Sequence, residues 1–321
     1  MRRCVVGVGA ISMCLTVLAG GAWGKEKVVI GVSRWIGYAP LYLAQEKGLF
    51  KEKGMDVEVK VIEALADRRA AYAAGRLQGI GTTVDAHVIA AAQGVPVRQV
   101  LALSECREGS GIVAKQSVKA LADLKGKVLT GHKGGTTLFW VGYVLAQNGM
   151  GITDVQWTDL KPADAVSDFV AGKADAIAAW QPYLSKALDQ GKGHLLVDMG
   201  KTPGAVVDTL AVSPQFIKTH GEDVKKIVKA WYEALEFQKG HADEANAIMA
   251  RFTGDKPEAL AQYLREVRFY GPQENKAYFG TGEKPGSLYQ VVERAADLWY
   301  RMKEIRRKVT PKDVIEVSFV Y

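Results

Sequence analysis

A chain of 321 residues with 48% apolar side chains is long enough to bury the core of one large domain or two of ordinary size. Lysine and arginine number 42 against 35 acidic residues, a formal charge of +7; this spread-out excess, without interleaved stacking side chains, excludes a nucleic-acid footprint. Three cysteines are too few for a disulfide framework, so stability has to come from hydrophobic burial.

Residues 1–24 read as a secretory leader: Arg2-Arg3, an apolar stretch from Cys4 to Leu18, and a small-x-small cleavage site at Ala22-Trp23-Gly24. The apolar run is too short for a membrane anchor. Cys14, after Ile11-Ser12-Met13, lacks the small residue that usually precedes a lipid-modified cysteine. Cleavage would remove two basic residues and Cys4 and Cys14, leaving 40 − 35 = +5 and a single cysteine, Cys106.

The mature part then alternates between the strand and helix periods. Strands are expected at Val28–Val32, Asp56–Ile62, Gly79–Thr83 and Val97–Leu103, with helices at Pro40–Lys47, Arg68–Ala74 and Asp85–Gln93. Trp35 and Tyr38 follow the opening strand, and Thr83 ends a later one, so these residues stand at strand carboxyl ends, where ligands bind in such sheets. Asp85 reads as an N-cap. Gly109-Ser110-Gly111 supply the backbone freedom of a crossover.

A second unit opens with a strand at Lys127–Thr130 and the glycine-bearing loop Gly131–Gly135. A helix follows from Thr136, with Leu138, Val141 and Leu145 on one face and Asn148-Gly149 at its end. Next come a strand at Asp154–Leu160, a helix opened by Pro162 and closed by Gly172 with Ala165, Val166, Phe169 and Val170 on its buried face, and a strand from Ala174 to Trp180. The return crossing falls at Ala205–Ser213. Helical spacing then covers Glu222–Lys239, Ala242–Phe252, Pro257–Val267 and Leu288–Ile305, the last opened by a Ser287/Gln290 capping box. The basic end of that helix, Arg301 to Lys308, reads as a solvated face or a docking surface for a transporter. Two lobes joined by two crossings describe a hinged clamp, with lobe 1 at 25–110 plus 208–321 and lobe 2 at 111–207.

Several residues converge on ligand binding. At the loop Gly131–Gly135 and the helix start at Thr136, free backbone N–H groups, the positive end of the helix dipole and Lys133 favour an anion, while an ordinary glycine turn with an N-cap accounts for the same residues. Trp35 and Trp180 each follow a strand and offer a flat wall on either lobe; Trp140, one turn into its helix, reads as core. In the loop Ser104-Glu105-Cys106-Arg107-Glu108, two readings stand side by side. Arg107 pairs with a glutamate, or Glu105 joins Asp208 of the returning crossing to meet a cationic head group. An anion site facing carboxylates would suit a zwitterion such as an amino-sulfonate.

No dinucleotide or phosphate loop is present: Gly7-Val8-Gly9 lies in the leader and Gly280–Gly286 has the wrong spacing. The five histidines show no metal-ligand spacing, so no cofactor or metal is expected. Cys106 with His132 would be the only route to a nucleophilic pair, and no third group in the sequence orients that histidine.

Gly134-Gly135-Thr136-Thr137, Leu160-Lys161-Pro162-Ala163-Asp164-Ala165, the run Gly172-Lys173-Ala174-Asp175-Ala176 and Trp180-Gln181-Pro182-Tyr183 resemble solute-binding proteins of the nitrate, sulfonate and taurine uptake family. The opening Trp35-Ile36-Gly37-Tyr38-Ala39-Pro40, with Lys47-Gly48-Leu49-Phe50, is similar to the same family's start. The resemblance implies a type II periplasmic-binding-protein fold, α/β with two lobes and a two-segment hinge. It implies a periplasmic protein that captures a small polar solute without chemistry and delivers it to the permease and ATPase subunits of an ABC importer. It also implies ligand contacts at Gly135, Thr136 and Thr137. The cysteine loop departs from the family pattern. The rivals are an enzyme of this fold, related to the synthases that make the thiamin pyrimidine, and a ligand sensor for a membrane receptor.

Overall fold

The computed structural model describes residues 27–107, 110–132, 136–180, 183–281 and 283–320. The proposed leader and Lys133–Gly135 lie outside them.

Chain order explains the architecture. The first stretch runs β1 (Val28–Val32), α1 (Ala39–Glu46), α2 (Leu49–Glu52), β2 (Val57–Val61), α3 (Leu65–Ala73), β3 (Gly79–Thr83), α4 (Val84–Ala92) and β4 (Arg98–Cys106). The second runs β5 (Ser110–Ala114), β6 (Val128–Gly131), α5 (Thr136–Gln147), β7 (Gln156–Asp159), α6 (Pro162–Val170), β8 (Ala176–Trp180), α7 (Tyr183–Gly191) and β9 (His194–Asp198). The third runs β10 (Val207–Val212), α8 (Pro214–Gly240), α9 (Ala242–Thr253), α10 (Pro257–Tyr263), β11 (Val267–Phe269), α11 (Pro272–Phe279), α12 (Ser287–Arg301) and α13 (Pro311–Val314).

Two sheets result, ordered β11-β4-β10-β3-β1-β2 and β7-β6-β8-β5-β9. Each contains a parallel trio, β2-β1-β3 in the first and β7-β6-β8 in the second, as helical crossovers require. Beside each trio lies an antiparallel strand that has just crossed from the other sheet: β10 against β3, and β5 against β8. Their registers set Asp208 opposite Thr83 and Ser110 opposite Trp180. Both crossings therefore pass next to the strand ends expected to carry ligand contacts.

Apolar faces fill as the spacing predicts. Leu138, Val141 and Leu145 of α5 are buried, as are Ala165, Val166 and Phe169 of α6, but Val170, expected on the same face, is 42% exposed at the last helical position. Gly149 and Gly172 take positive φ just after α5 and α6 (72° and 78°), a left-handed conformation that costs glycine little. Trp140 is buried, its indole N–H donating to Thr202 Oγ1 at 2.8 Å.

Three expectations fail locally. The capping box at Ser287 does not form: Gly286 is the N-cap of α12 and no side chain caps it. Thr83, not Asp85, is the N-cap of α4, so Asp85 is the second helical residue. The helix from Pro257 stops at Tyr263, because Val267–Phe269 pair with Cys106, Glu105 and Ser104 as the edge strand β11.

Helix α12 touches both halves. It packs on α4 of the first and also on α5 of the second. The rings of Phe139 and Trp299 lie 6.2 Å apart, and the Arg294 guanidinium sits 5.0 Å above Tyr143.

The crossing strand β5 has no room for a side chain at Gly111, where a β-carbon would stand 2.7 Å from the Val197 carbonyl oxygen. A backbone atom cannot rotate away. Gly111→Val is expected to prise β5 from β9 and lower unfolding free energy by roughly 1–3 kcal/mol, read from urea denaturation; an unchanged midpoint would contradict this packing.

Candidate functional site

Between the two sheets lies a cavity of about 710 Å³. Its first wall comes from the loop after β1 (Trp35, Tyr38), from the start of α3 (Arg68, Arg69) and from the β3–α4 junction (Thr82, Thr83, Asp85). The opposing wall is built by His132, by Thr136 and Thr137 at the start of α5, and by Trp180 at the end of β8. Asp208 of β10 and Cys106 of β4 border it, and Trp299 of α12 also lines it. Trp35, Tyr38, Thr83, Thr136, Thr137, Trp180 and Asp208 thus come together from distant parts of the chain, whereas Gly135 lies outside the described residues.

Glu105 does not join them. Its carboxylate accepts from the Gly204 N–H at 2.6 Å and pairs with Arg268 at 3.2 Å, beside a separate cavity shared with Arg107 and Lys201. Glu105 thus pairs with Arg268 and not with Arg107, and Glu108 lies outside the described residues. Side chains alternate across a strand, so Ser104 and Glu105 face opposite ways; the inward position belongs to Ser104, and Arg268, contributed by β11, takes Glu105 on the other face.

The floor of the cleft is Asp208. Tyr38 OH donates to its Oδ1 and Ser104 Oγ to its Oδ2 at 3.3 Å, while the Trp35 indole lowers its pKa without reaching hydrogen-bond geometry. A β-carbon at Gly37 would collide with Ser104 Oγ and the Trp35 indole. The Trp-Ile-Gly-Tyr run is therefore a shape requirement of this floor.

Burial dominates the electrostatics. It pushes Asp208 up to about 6, against the opposing hydrogen bonds from Tyr38 and Ser104. Burial also lifts Asp85 to about 6, against the opposing influence of the Thr83 hydroxyl and the Asp85 and Ala86 N–H groups, and no described group meets hydrogen-bond geometry at its Oδ1. Tyr38 is driven well above the ordinary phenol value by burial and by the Asp208 charge. Arg68, only 4% exposed, donates Nη1 to the carbonyls of Ile62 (2.5 Å) and Glu63 (3.0 Å), and burial lowers its pKa. His87, behind the floor, is held down to about 4 by burial.

Sequence reasoning missed Arg68, Trp299 and the inward role of Asp85. Arg68 sat in a stretch that reads as an ordinary helix start, and nothing local marks a bend that folds α12 back over both sheets. For Asp85, the signal was its place just after a strand end. Among the described residues no cluster of three histidine, cysteine or acidic side chains could hold a metal.

With this geometry in view, comparison with known proteins becomes informative. A model of the NMT1-like family matches residues 21–253. The chain belongs to the NMT1-like family. Among its relatives is the taurine-binding periplasmic protein of Escherichia coli (strain K12), 24% identical over 82% of this chain and 85% of that one. The family member has the fold of the periplasmic aliphatic sulphonate binding protein SsuA from E. coli, with a TM-score of 0.72 and 22% identity, covering 92% of this chain and 99% of that one. It is similar also to the desulfurization enzyme DSZB, with a TM-score of 0.59 and 14% identity over 92% and 98% of the two chains.

The buried titrations make a stability test. Asp85 and Asp208 titrate higher folded than unfolded, so the stability that their protonated forms confer is complete below about 4 and lost as pH rises through about 6. His87 opposes them, since its depressed pKa removes stability as pH falls from 6.5 toward 4. Two raised carboxyls outweigh one depressed imidazole, so these three groups together lower wild-type stability as pH rises from about 4 to about 6.5. Asp85→Asn, neutral throughout, should be more stable than wild type by up to about 3 kcal/mol at pH 7.5, with the gap shrinking below pH 6. Chemical denaturation at both pH values measures it, and a gap independent of pH would refute the buried charge.

Proposed function

We propose that this protein is the solute-binding component of an ABC importer, exported to the periplasm by residues 1–24 and working without chemistry. It captures a small polar organic solute between lobe 1 (25–110 plus 208–321) and lobe 2 (111–207), then delivers it to permease and ATPase subunits. One observation carries the reading: a single cavity of about 710 Å³ takes aromatic and polar side chains from both sheets, within the range that suits small molecules. Family membership and the taurine- and sulphonate-binding relatives support the solute class.

The mechanism follows from the two crossings. A ligand that touches Trp35 and Thr83 on one side and Thr136 and Trp180 on the other gains its full set of contacts only when the lobes approach. It therefore favours the closed form by its differential affinity. Water expelled from between the indole faces strengthens each polar contact that remains. Among the described residues no helix is long and apolar enough to cross a membrane.

Catalysis is the second reading, because Cys106 and His132 border the same cavity and His132 Nδ1 stands 3.7 Å from Asp159 Oδ1. That separation exceeds hydrogen-bond range, so Asp159 does not orient the ring as a catalytic dyad requires. Fold alone does not decide, since one architecture hosts unrelated functions.

Thermal-shift screening of the mature protein over sulfonates, amino-sulfonates, nitrate, amines and amidines is the direct test. A ligand at a hundredfold excess over its Kd should stabilise the protein by about 2.7 kcal/mol, and Trp180→Ala should weaken binding tenfold or more. Turnover of any stabilising compound, abolished by Cys106→Ser, would instead establish the enzyme.

A further inference from the structure

The cleft holds three acidic side chains, and only one lacks a protein partner for a fully buried oxygen. Asp208 is occupied on both oxygens, by Tyr38 and Ser104. Glu266 is only half-buried. Asp85 is 3% exposed, lines the cavity, and leaves Oδ1 without a donor. Arg69 feels its charge, yet among the described residues no ion pair joins the two. A buried carboxylate left in this state costs the protein free energy and persists only where something else uses it.

Its position is as informative as its burial. As the second residue of α4, Asp85 puts a negative charge at a helix N-terminus that would otherwise attract the acidic end of a ligand. A small anion approaching this wall meets a carboxylate in place of free N–H groups. On the facing wall, Thr136 and Thr137 open α5, whose first turn contains no acidic residue. The two walls are therefore of opposite preference.

Resting on the solute-capture reading above, we infer that Asp85 is the recognition residue for a protonated nitrogen on the solute, an ammonium or amidinium group, and that it bars simple anions from the start of α4. The acidic group of a zwitterion, where the solute has one, lies toward Thr136 and Thr137. Arg68, whose Nε is buried without an acceptor, completes the first wall as a donor to the uncharged part of the same solute. A charge-assisted N–H···O⁻ bond in a desolvated cleft discriminates strongly, because a nitrogen-free analogue leaves the carboxylate buried and unpaired.

Matched probes isolate the effect. Taurine against ethanesulfonate, 2-aminoethylphosphonate against ethylphosphonate, β-alanine against propionate, and benzamidine against benzamide are titrated calorimetrically into the mature protein at pH 7.5. In at least one pair the protonated member should bind ten times more tightly or better. Asp85→Asn should abolish that preference while leaving the nitrogen-free member within threefold, with a melting temperature no lower than wild type to prove folding; Asp85→Glu should restore part of it. Equal binding of both members, or preference for the nitrogen-free one, overturns the inference and leaves solute capture standing. Equal weakening of both members by Asp85→Asn also overturns it, and makes Arg69 the partner of Asp85 in the closed form. No binding by any protonated probe overturns it as well; if in addition no solute of the broader screen binds, the capture reading falls with it.

Discussion

The cleft depends on one strand. By entering the first sheet antiparallel between β3 and β4, β10 carries Asp208 to a position beside Thr83 and Ser104, directly below Tyr38. A parallel trio alone would leave its carboxyl ends open to water. The returning strand closes that opening with a carboxylate and forces it to be satisfied by hydroxyls from two other segments. The mirror arrangement in the second sheet, where β5 brings Ser110 opposite Trp180, puts the other crossing beside the other wall. The two crossing strands thus run beside the two walls of the cavity, and Ser110 and Asp208 of those strands line it.

Such a floor is held under electrostatic tension. Asp85 and Asp208 resist ionisation, His87 resists protonation, and Arg68 is spent largely on two backbone carbonyls. The apolar core compensates. Trp231, Phe50 and Leu101 are fully buried around the first sheet, and Trp140, Phe139 and Ile112 around the second and under α12. Local cost at a binding surface, offset by packing elsewhere, is how recognition sites keep unsatisfied groups ready for a ligand.

Much of this was legible in the residues. Alternation of strand and helix periods located the strands that make up the parallel part of each sheet, and Pro162, Gly149 and Gly172 marked boundaries that local sterics enforce. The aromatic and threonine positions at strand ends followed from the rule that parallel sheets bind at their carboxyl edge. What resisted reading was set by pairing between distant segments. Glu105 faces away because its neighbour Ser104 takes the inward position, and only the register of β11 supplies Arg268 to it. Asp85 carries the chemistry of an N-cap, but Thr83 occupies the cap, and a shift of two residues turns its side chain toward the cavity. Trp299 belongs to a helix whose destination is fixed by tertiary packing alone.

The central claim is that one guest is gripped by both sheets at once. Hydrogen–deuterium exchange on the mature protein, with and without a solute that raises its melting temperature, tests this most directly. The account predicts simultaneous protection of residues 35–38 and 82–86 on one wall and 136–140 on the other. Protection confined to one wall, or to the separate cavity that Tyr232 of α8 and Asn246 of α9 line, would contradict it.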